Sequence, residues 1–255
     1  MAQHARSRHP VTIDGTTAKV GSADELALTL DVLHGQHDRT VLEQLRPHLP
    51  AIVTTPRGLM AVLEPLSAED QRYLIDGLAG CLTGIVGSAG ALREILAMLT
   101  DVPVEERLLE VIGTDGLRSL ILTAEDLAGV LEFVYGQCDR RVIDLLGRDY
   151  LAGLFQSGHD VSVVLRALDP GVQPDFVAGL GWTRLGALVH DRRDLAHLMR
   201  ALPADASRHL LAHISRERLA ALVANARQWA AVARYLDAEE IACLRQRLEG
   251  GHGAA

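Results

Sequence analysis

The sequence predicts an all-α chain built from a stack of small helical repeats, and three observations carry that reading. Leu195, Leu198, Met199 and Leu202 stand at i, i+3, i+4 and i+7, the apolar stripe of an amphipathic helix. The stripe also occurs about 34 residues earlier as Val161, Val164, Leu165 and Leu168, and before that as Leu127, Val130, Leu131 and Val134. Composition agrees: of 255 residues, 48% are hydrophobic but only 4% aromatic, and a mixture of Leu, Ala and Val suits helices packed through many small contacts.

In chain order, residues 1–21 mix His, Arg, Thr and Gly without periodicity and read as a flexible N-terminal arm, with a short strand at Val11-Thr12-Ile13 as the alternative. Ser22-Ala23-Asp24-Glu25 has the S-x-x-E form of a helix start, so a helical-repeat domain is expected over 22–248. Its stripes begin at Leu26, Leu59, Leu92, Leu127, Val161, Leu195 and Trp229, about 33 to 35 residues apart, which makes about seven units. A second apolar set follows each stripe, as in Val142/Ile143/Leu146, Phe176/Val177/Leu180 and Leu210/Leu211/Ile214. Next comes a break at Gly113, Gly147, Gly181 or Ser215, where a glycine reaches the left-handed conformation that closes a helix. A short third run such as Leu185-x-x-Leu188-Val189 completes the unit, which is therefore two to three short helices. Ser67, Thr123 and Asp237 precede acidic first turns and serve as further helix starts. Pro65 should shorten or kink its helix. Gly80 and Gly84 read as points of close helix packing, where bulkier residues would overpack. Residues 249–255 read as a disordered tail. One unit cannot bury both sides of its stripe, so the units must stack.

Over roughly Ser22 to Leu248 this layout resembles the α-solenoid superfamily, which includes armadillo, HEAT, tetratricopeptide and pentatricopeptide arrays. The resemblance implies a right-handed superhelix with an extended binding surface. Segments such as GLMAVLEPLSAEDQRYLIDGLAGCLTGIV and DLAHLMRALPADASRHLLAHISRERLAALV look like the degenerate leucine-rich helical repeats of effectors secreted by intracellular bacteria. They are also similar in cadence to the helical N-terminal domain of MgtE-type magnesium transporters. What this implies is a partner-binding role in the cytoplasm of a bacterium or, for a secreted effector, of its host. The tetratricopeptide signature, the ankyrin T-P-L-H motif and the paired residues before Gly-Gly of DNA-reading effector repeats are absent.

Charge and motifs narrow the function. A net charge of −8 argues against a chain whose main task is neutralising phosphates, so nucleic acid is not the expected partner. Cys81, Cys138 and Cys243 lack C-x-x-C spacing and suit a reducing compartment, and no uncharged run is long enough to span a bilayer. His209 and His213 share a helix face at metal-binding spacing but lack the Glu of H-E-x-x-H, and His34, His37, Asp38 and His48 read as a polar capping loop. Cys138-Asp139 has no nucleophile turn, and Gly77 to Gly90 matches no phosphate loop. No catalytic residue, metal or cofactor is therefore expected. The informative set is the turn that recurs with the repeat: Arg148 and Asp149, then Trp182 and Arg184, then Arg216, Glu217 and Arg218. These should line one edge as a partner-binding ridge, or else pack Trp182 between units and pair the arginines locally. Arg39, Arg72, Arg107 and Arg141 recur in the second helices and are expected to bond carbonyls of the preceding unit. The expectation is a non-enzymatic scaffold for protein–protein interaction. Its alternatives are a helical-repeat enzyme or a nucleic-acid-binding array with a site in the concave groove. The half-unit ending at Leu248 leaves Leu and Ile to be covered by polar side chains or by a second copy.

Overall fold

The computed structural model describes residues 7–249, which are mostly helical, with one two-stranded sheet among them. The strands are β1 (His9–Ile13) and β2 (Thr16–Val20). The helices are α1 (Ala23–Leu33), α2 (Asp38–Leu45), α3 (Leu49–Ile52), α4 (Pro56–Leu63), α5 (Ala68–Gly77), α6 (Leu82–Val86), α7 (Ala89–Met98), α8 (Val102–Leu120, broken by a kink at Gly113), α9 (Ala124–Leu131) and α10 (Gly136–Leu146). They continue as α11 (Arg148–Leu154), α12 (Gly158–Ala167), α13 (Gln173–Leu180), α14 (Trp182–Ala187), α15 (Arg192–Ala201), α16 (Ala204–His213), α17 (Arg216–Leu222), α18 (Ala226–Ala233) and α19 (Ala238–Glu249). No helix among the described residues is long and apolar enough to cross a membrane. The tail expected over 249–255 lies outside the described residues except for Glu249, which ends α19.

The chain divides into two compact units, where the sequence suggested one domain over 22–248. The first comprises Met1–Ile121 and Phe133–Leu145, the second Leu122–Glu132 and Leu146–Ala255. The interleaving has a local cause. Glu105 of α8 accepts from the Tyr135 amide, and Glu110 pairs with Arg141, which ties α10 to the first unit; α9 packs instead on α12 of the second.

In the first unit, Ser22, Thr55 and Ser88 accept from the amides of Glu25, Gly58 and Ala91, so each satisfies an orphan donor and starts α1, α4 and α7. Leu26, Leu30, Leu59, Val62, Leu63, Leu92, Ile95 and Leu96 from these three helices are buried. α1 packs on α4 and α4 on α7, while α2 packs on α5 and α5 on α8. Pro65 follows the end of α4, which stops at Leu63.

Several expectations are corrected here. Residues 9–20 form a β-hairpin, not an irregular arm; residues 1–6 lie outside the described ones. Asp14 and Gly15 take φ of 47° and 79°, the two positive values of a tight hairpin turn whose twist matches the strands. Val11 and Val20 are buried, and Gln44 of α2 exchanges two hydrogen bonds with the Thr12 backbone, so the hairpin is docked. His48 stacks on His9 at 3.6 Å and His37 lies 3.4 Å from Asp14, so the histidines of the first helices hold this hairpin. A Cβ at Gly80 or Gly84 would meet nothing within 4 Å. Close approach occurs instead at Gly116, where a Cβ would stand 2.6 Å from Thr83 Oγ1. Arg39, Arg107 and Arg141 bond carboxylates of neighbouring helices (Glu69 and Asp70; Asp76; Glu110), and Arg107 also pairs with Glu110 of its own helix, in place of the expected carbonyls. Acidic side chains stand opposite them and a charged acceptor binds a guanidinium more strongly than an amide oxygen does.

In the second unit Thr123, Ser157, Asp191 and Asn225 cap α9, α12, α15 and α18, the first two as full capping boxes. These four helices pack in series, α9 on α12, α12 on α15 and α15 on α18. Their stripes are buried, including Leu127, Val161, Val164, Leu165, Leu195, Leu198, Met199 and Val232. Contact is close enough at Gly158 that a Cβ would lie 2.9 Å from the Asp194 Cβ and carbonyl oxygen. Gly147 and Gly181 break the chain with positive φ (74° and 81°) but extended ψ (155° and 139°), not the left-handed helical pair the sequence suggested.

Candidate binding surface

The ridge residues stand on the third helices of the second unit. Arg148 and Asp149 open α11, Trp182 and Arg184 lie on α14, and Arg216, Glu217 and Arg218 open α17. Most of their donors turn inward. Arg184 Nη2 donates to the Ala152 carbonyl of α11, and Arg218 Nη2 donates to the Ala187 carbonyl of α14 at 3.2 Å. Each guanidinium thus meets the carbonyl-rich, negative end of the preceding third helix. Arg216 donates to Leu248 O through Nε and Nη2 at 3.1 and 2.7 Å. Trp182 is half-buried against His209 and His213 of α16, with ring centroids 5.4 and 6.3 Å away. His213 Nδ1 lies 2.8 Å from His209 O, so this pair flanks Trp182. Arg148, Asp149 and Glu217 remain exposed. The ridge therefore brings together its helices, and its tryptophan and three of its arginines are engaged within the fold.

A neighbouring surface of the same unit, which meets the ridge where Arg218 comes beside Arg192 and Arg193, carries a further cluster of charge. Arg192, Arg193 and Arg200 on α15 and Arg227 and Arg234 on or just beyond α18 line a groove of about 320 Å³ with Ala196, His197, Ala231 and Tyr235. The buried stripes lock α15 against α18, so the opposite sides of both helices point outward together. Arg208, by contrast, is paired with Asp205 and Glu239, whereas none of the five groove arginines is paired with a carboxylate among the described residues. The nearest acid, Asp191, is shared between the helix start and the groove. It accepts from the Asp194 amide at 2.9 Å and the Arg193 amide at 2.6 Å, and these bonds, with the attraction of the Arg193 and Arg192 guanidiniums, hold its carboxyl below the usual range. Buried Asp194 accepts from the His159 and His190 amides at 3.2 and 3.0 Å, joining the starts of α12 and α15.

Tyr235 organises the groove, with the guanidinium carbons of Arg200 and Arg234 over its ring at 5.3 and 4.6 Å from the centroid. His197 touches the ring of His159 at 4.6 Å, and partial burial, then His159, Arg166 and Arg200, push its pKa below 6.5. Sequence reasoning missed this set, although a signal was present. Arg166, Arg200 and Arg234 recur at the repeat period, as do Arg193 and Arg227, a periodicity the turn-centred reading passes over. Toward α9 the charge reverses: Glu125, Asp149, Tyr150 and Asp160 line a groove of about 660 Å³ beside exposed Leu122. Among the described residues no group of three or more His, Cys, Asp or Glu side chains is placed to hold a metal ion. Compared with known proteins, the chain matches no family model, no curated protein and no solved structure.

Proposed function

We propose that this chain is a non-enzymatic helical-repeat scaffold, a right-handed α-solenoid of about seven units of about 34 residues, that holds a protein partner by an acidic segment. The observation that carries the reading is the groove lined by five arginines of α15 and α18, of which Arg200, Arg227 and Arg234 have no ion pair among the described residues and Arg192 and Arg193 have only the nearby carboxyl of Asp191. Clustered like charges repel one another, and an acidic segment laid along them relieves that repulsion while gaining charge-assisted hydrogen bonds. The serial packing of α9, α12, α15 and α18 supports the array, because it spends each helix's apolar stripe on its neighbour and leaves the outer face for a partner.

The same arginines favour a second reading, a nucleic-acid strand on this face. Titration of the whole protein with a labelled Glu-rich peptide and with a single-stranded DNA of equal charge separates the two. The scaffold reading predicts tighter binding of the peptide, weakening as salt rises, and about tenfold loss in the Arg193→Gln, Arg227→Gln double variant. Failure of the peptide to bind, or equal binding by the variant, contradicts it.

A further inference from the structure

The groove between α15 and α18 is built more narrowly than a general acidic docking strip. Its five arginines line one space of about 320 Å³. Guanidinium is planar and fork-shaped, and a tetrahedral oxyanion with three accessible oxygens and up to two charges accepts from more forks, in more directions, than a planar two-oxygen carboxylate. Arg200 and Arg234 both stand over Tyr235, so part of the ordering cost of gripping an anion is met before it arrives. Asp191 and Asp194 bond the helix starts of α15 and α12, and of the groove's cations only Arg192 and Arg193 are drawn to Asp191, which leaves Arg200, Arg227 and Arg234 to an outside anion.

From this clustering, and the ordering of two of its arginines over Tyr235, we infer that the groove binds a phosphoryl group carried on a side chain of the partner's peptide segment. The inference rests on the scaffold reading above and narrows it to one chemical class. His197, on the groove wall with its pKa held below 6.5, sits beside Arg200 and gains a favourable partner for its proton when a dianion enters. A nucleic-acid strand fits less well. The Tyr235 ring is already engaged by Arg200 and Arg234 and the Trp229 ring by Arg245, 5.5 Å from its centroid, so these aromatic faces are spent on cations instead of bases. The chain's net charge of −8 also opposes a long polyanion while allowing a single anionic head.

The test uses the full chain and three labelled peptides identical except at one position, which carries phosphoserine, Glu or Ser. The phosphoserine peptide should bind at least about tenfold tighter than the Glu peptide. Arg200→Gln with Arg234→Gln should abolish that preference, and Arg200→Lys with Arg234→Lys should retain only part of it, because charge stays while the fork is lost. Equal affinity for the phosphoserine and Glu peptides overturns the inference and leaves the scaffold reading standing; binding of neither sinks both. Inorganic phosphate binding as tightly as the peptide overturns the peptide-borne source, and tighter binding of a single-stranded DNA of equal charge reassigns the face to nucleic acid. If the variants do not fold, thermal melting of the unaltered protein decides. A rise in Tm with the phosphoserine peptide that the Glu peptide does not match supports the inference, and no difference between them refutes it.

Discussion

Glu105 illustrates how one residue sets conditions for the fold. Its side chain is buried, it accepts from the Tyr135 amide at 3.3 Å, and its Oε1 has no hydrogen-bond partner. Burial pushes its carboxyl above the usual 4.5 and pushes the neighbouring Cys138 thiol up to about 12. The folded state therefore holds the Glu105 proton more tightly than the unfolded chain does. The stability this contributes is complete below pH 4.5 and is lost as pH rises from there through the raised folded value. Glu105→Gln, which cannot ionise, should flatten that fall, so urea unfolding should find the variant gaining on the natural protein as pH rises above 4.5. A constant difference across that range would assign Glu105 no part in it. At this scale the sequence holds a signal that the search for apolar stripes passes over: Glu105 stands at i with Leu108, Leu109 and Ile112 at i+3, i+4 and i+7, on the buried side of α8, whereas Glu106 lies off that stripe.

At the scale of elements, legibility follows the length of the periodic signal. The helical stripes repeat every few residues over many turns, so the helices are plain, and their caps at Ser22, Thr123 and Ser157 fall where side-chain oxygens meet free amides. The hairpin was legible too, in the Asp14-Gly15 pair between Val11-Thr12-Ile13 and Thr16 to Val20, but its mixed composition masks that two-residue signal. Glycine contacts were not legible, because a close approach depends on which helix arrives from elsewhere. This yields opposite outcomes for two substitutions. Gly84→Ala, in α6 with open space at its Cβ, should stabilise by about 0.5–1 kcal/mol by removing backbone freedom from the unfolded chain. Gly158→Ala, which presses on Asp194 where α12 meets α15, should cost about 1–3 kcal/mol. Thermal melts of both variants check the pair, and destabilisation by Gly84→Ala would mean that α6 is packed more tightly than its open Cβ position indicates.

For the molecule as a whole, charge distribution matters more than net charge. The formal −8 suggests an acidic surface, yet the second unit gathers five arginines around one groove of α15 and α18 and sets Glu125, Asp149 and Asp160 near α9, α11 and α12. Totals hide this separation; residue spacing reveals it, since Arg166, Arg200 and Arg234 keep the repeat's phase. The division into two units was not legible, because it turns on α10 following α8 through Glu105 and Glu110 while α9 follows α12. The ridge of Arg148, Trp182, Arg184 and Arg218 and the arginine groove make rival claims on a partner. Hydrogen exchange with and without the acidic peptide decides between them most directly. The account predicts new protection over residues 192–200 and 226–234 on binding; protection confined to the starts of α11, α14 and α17, or none anywhere, would contradict it.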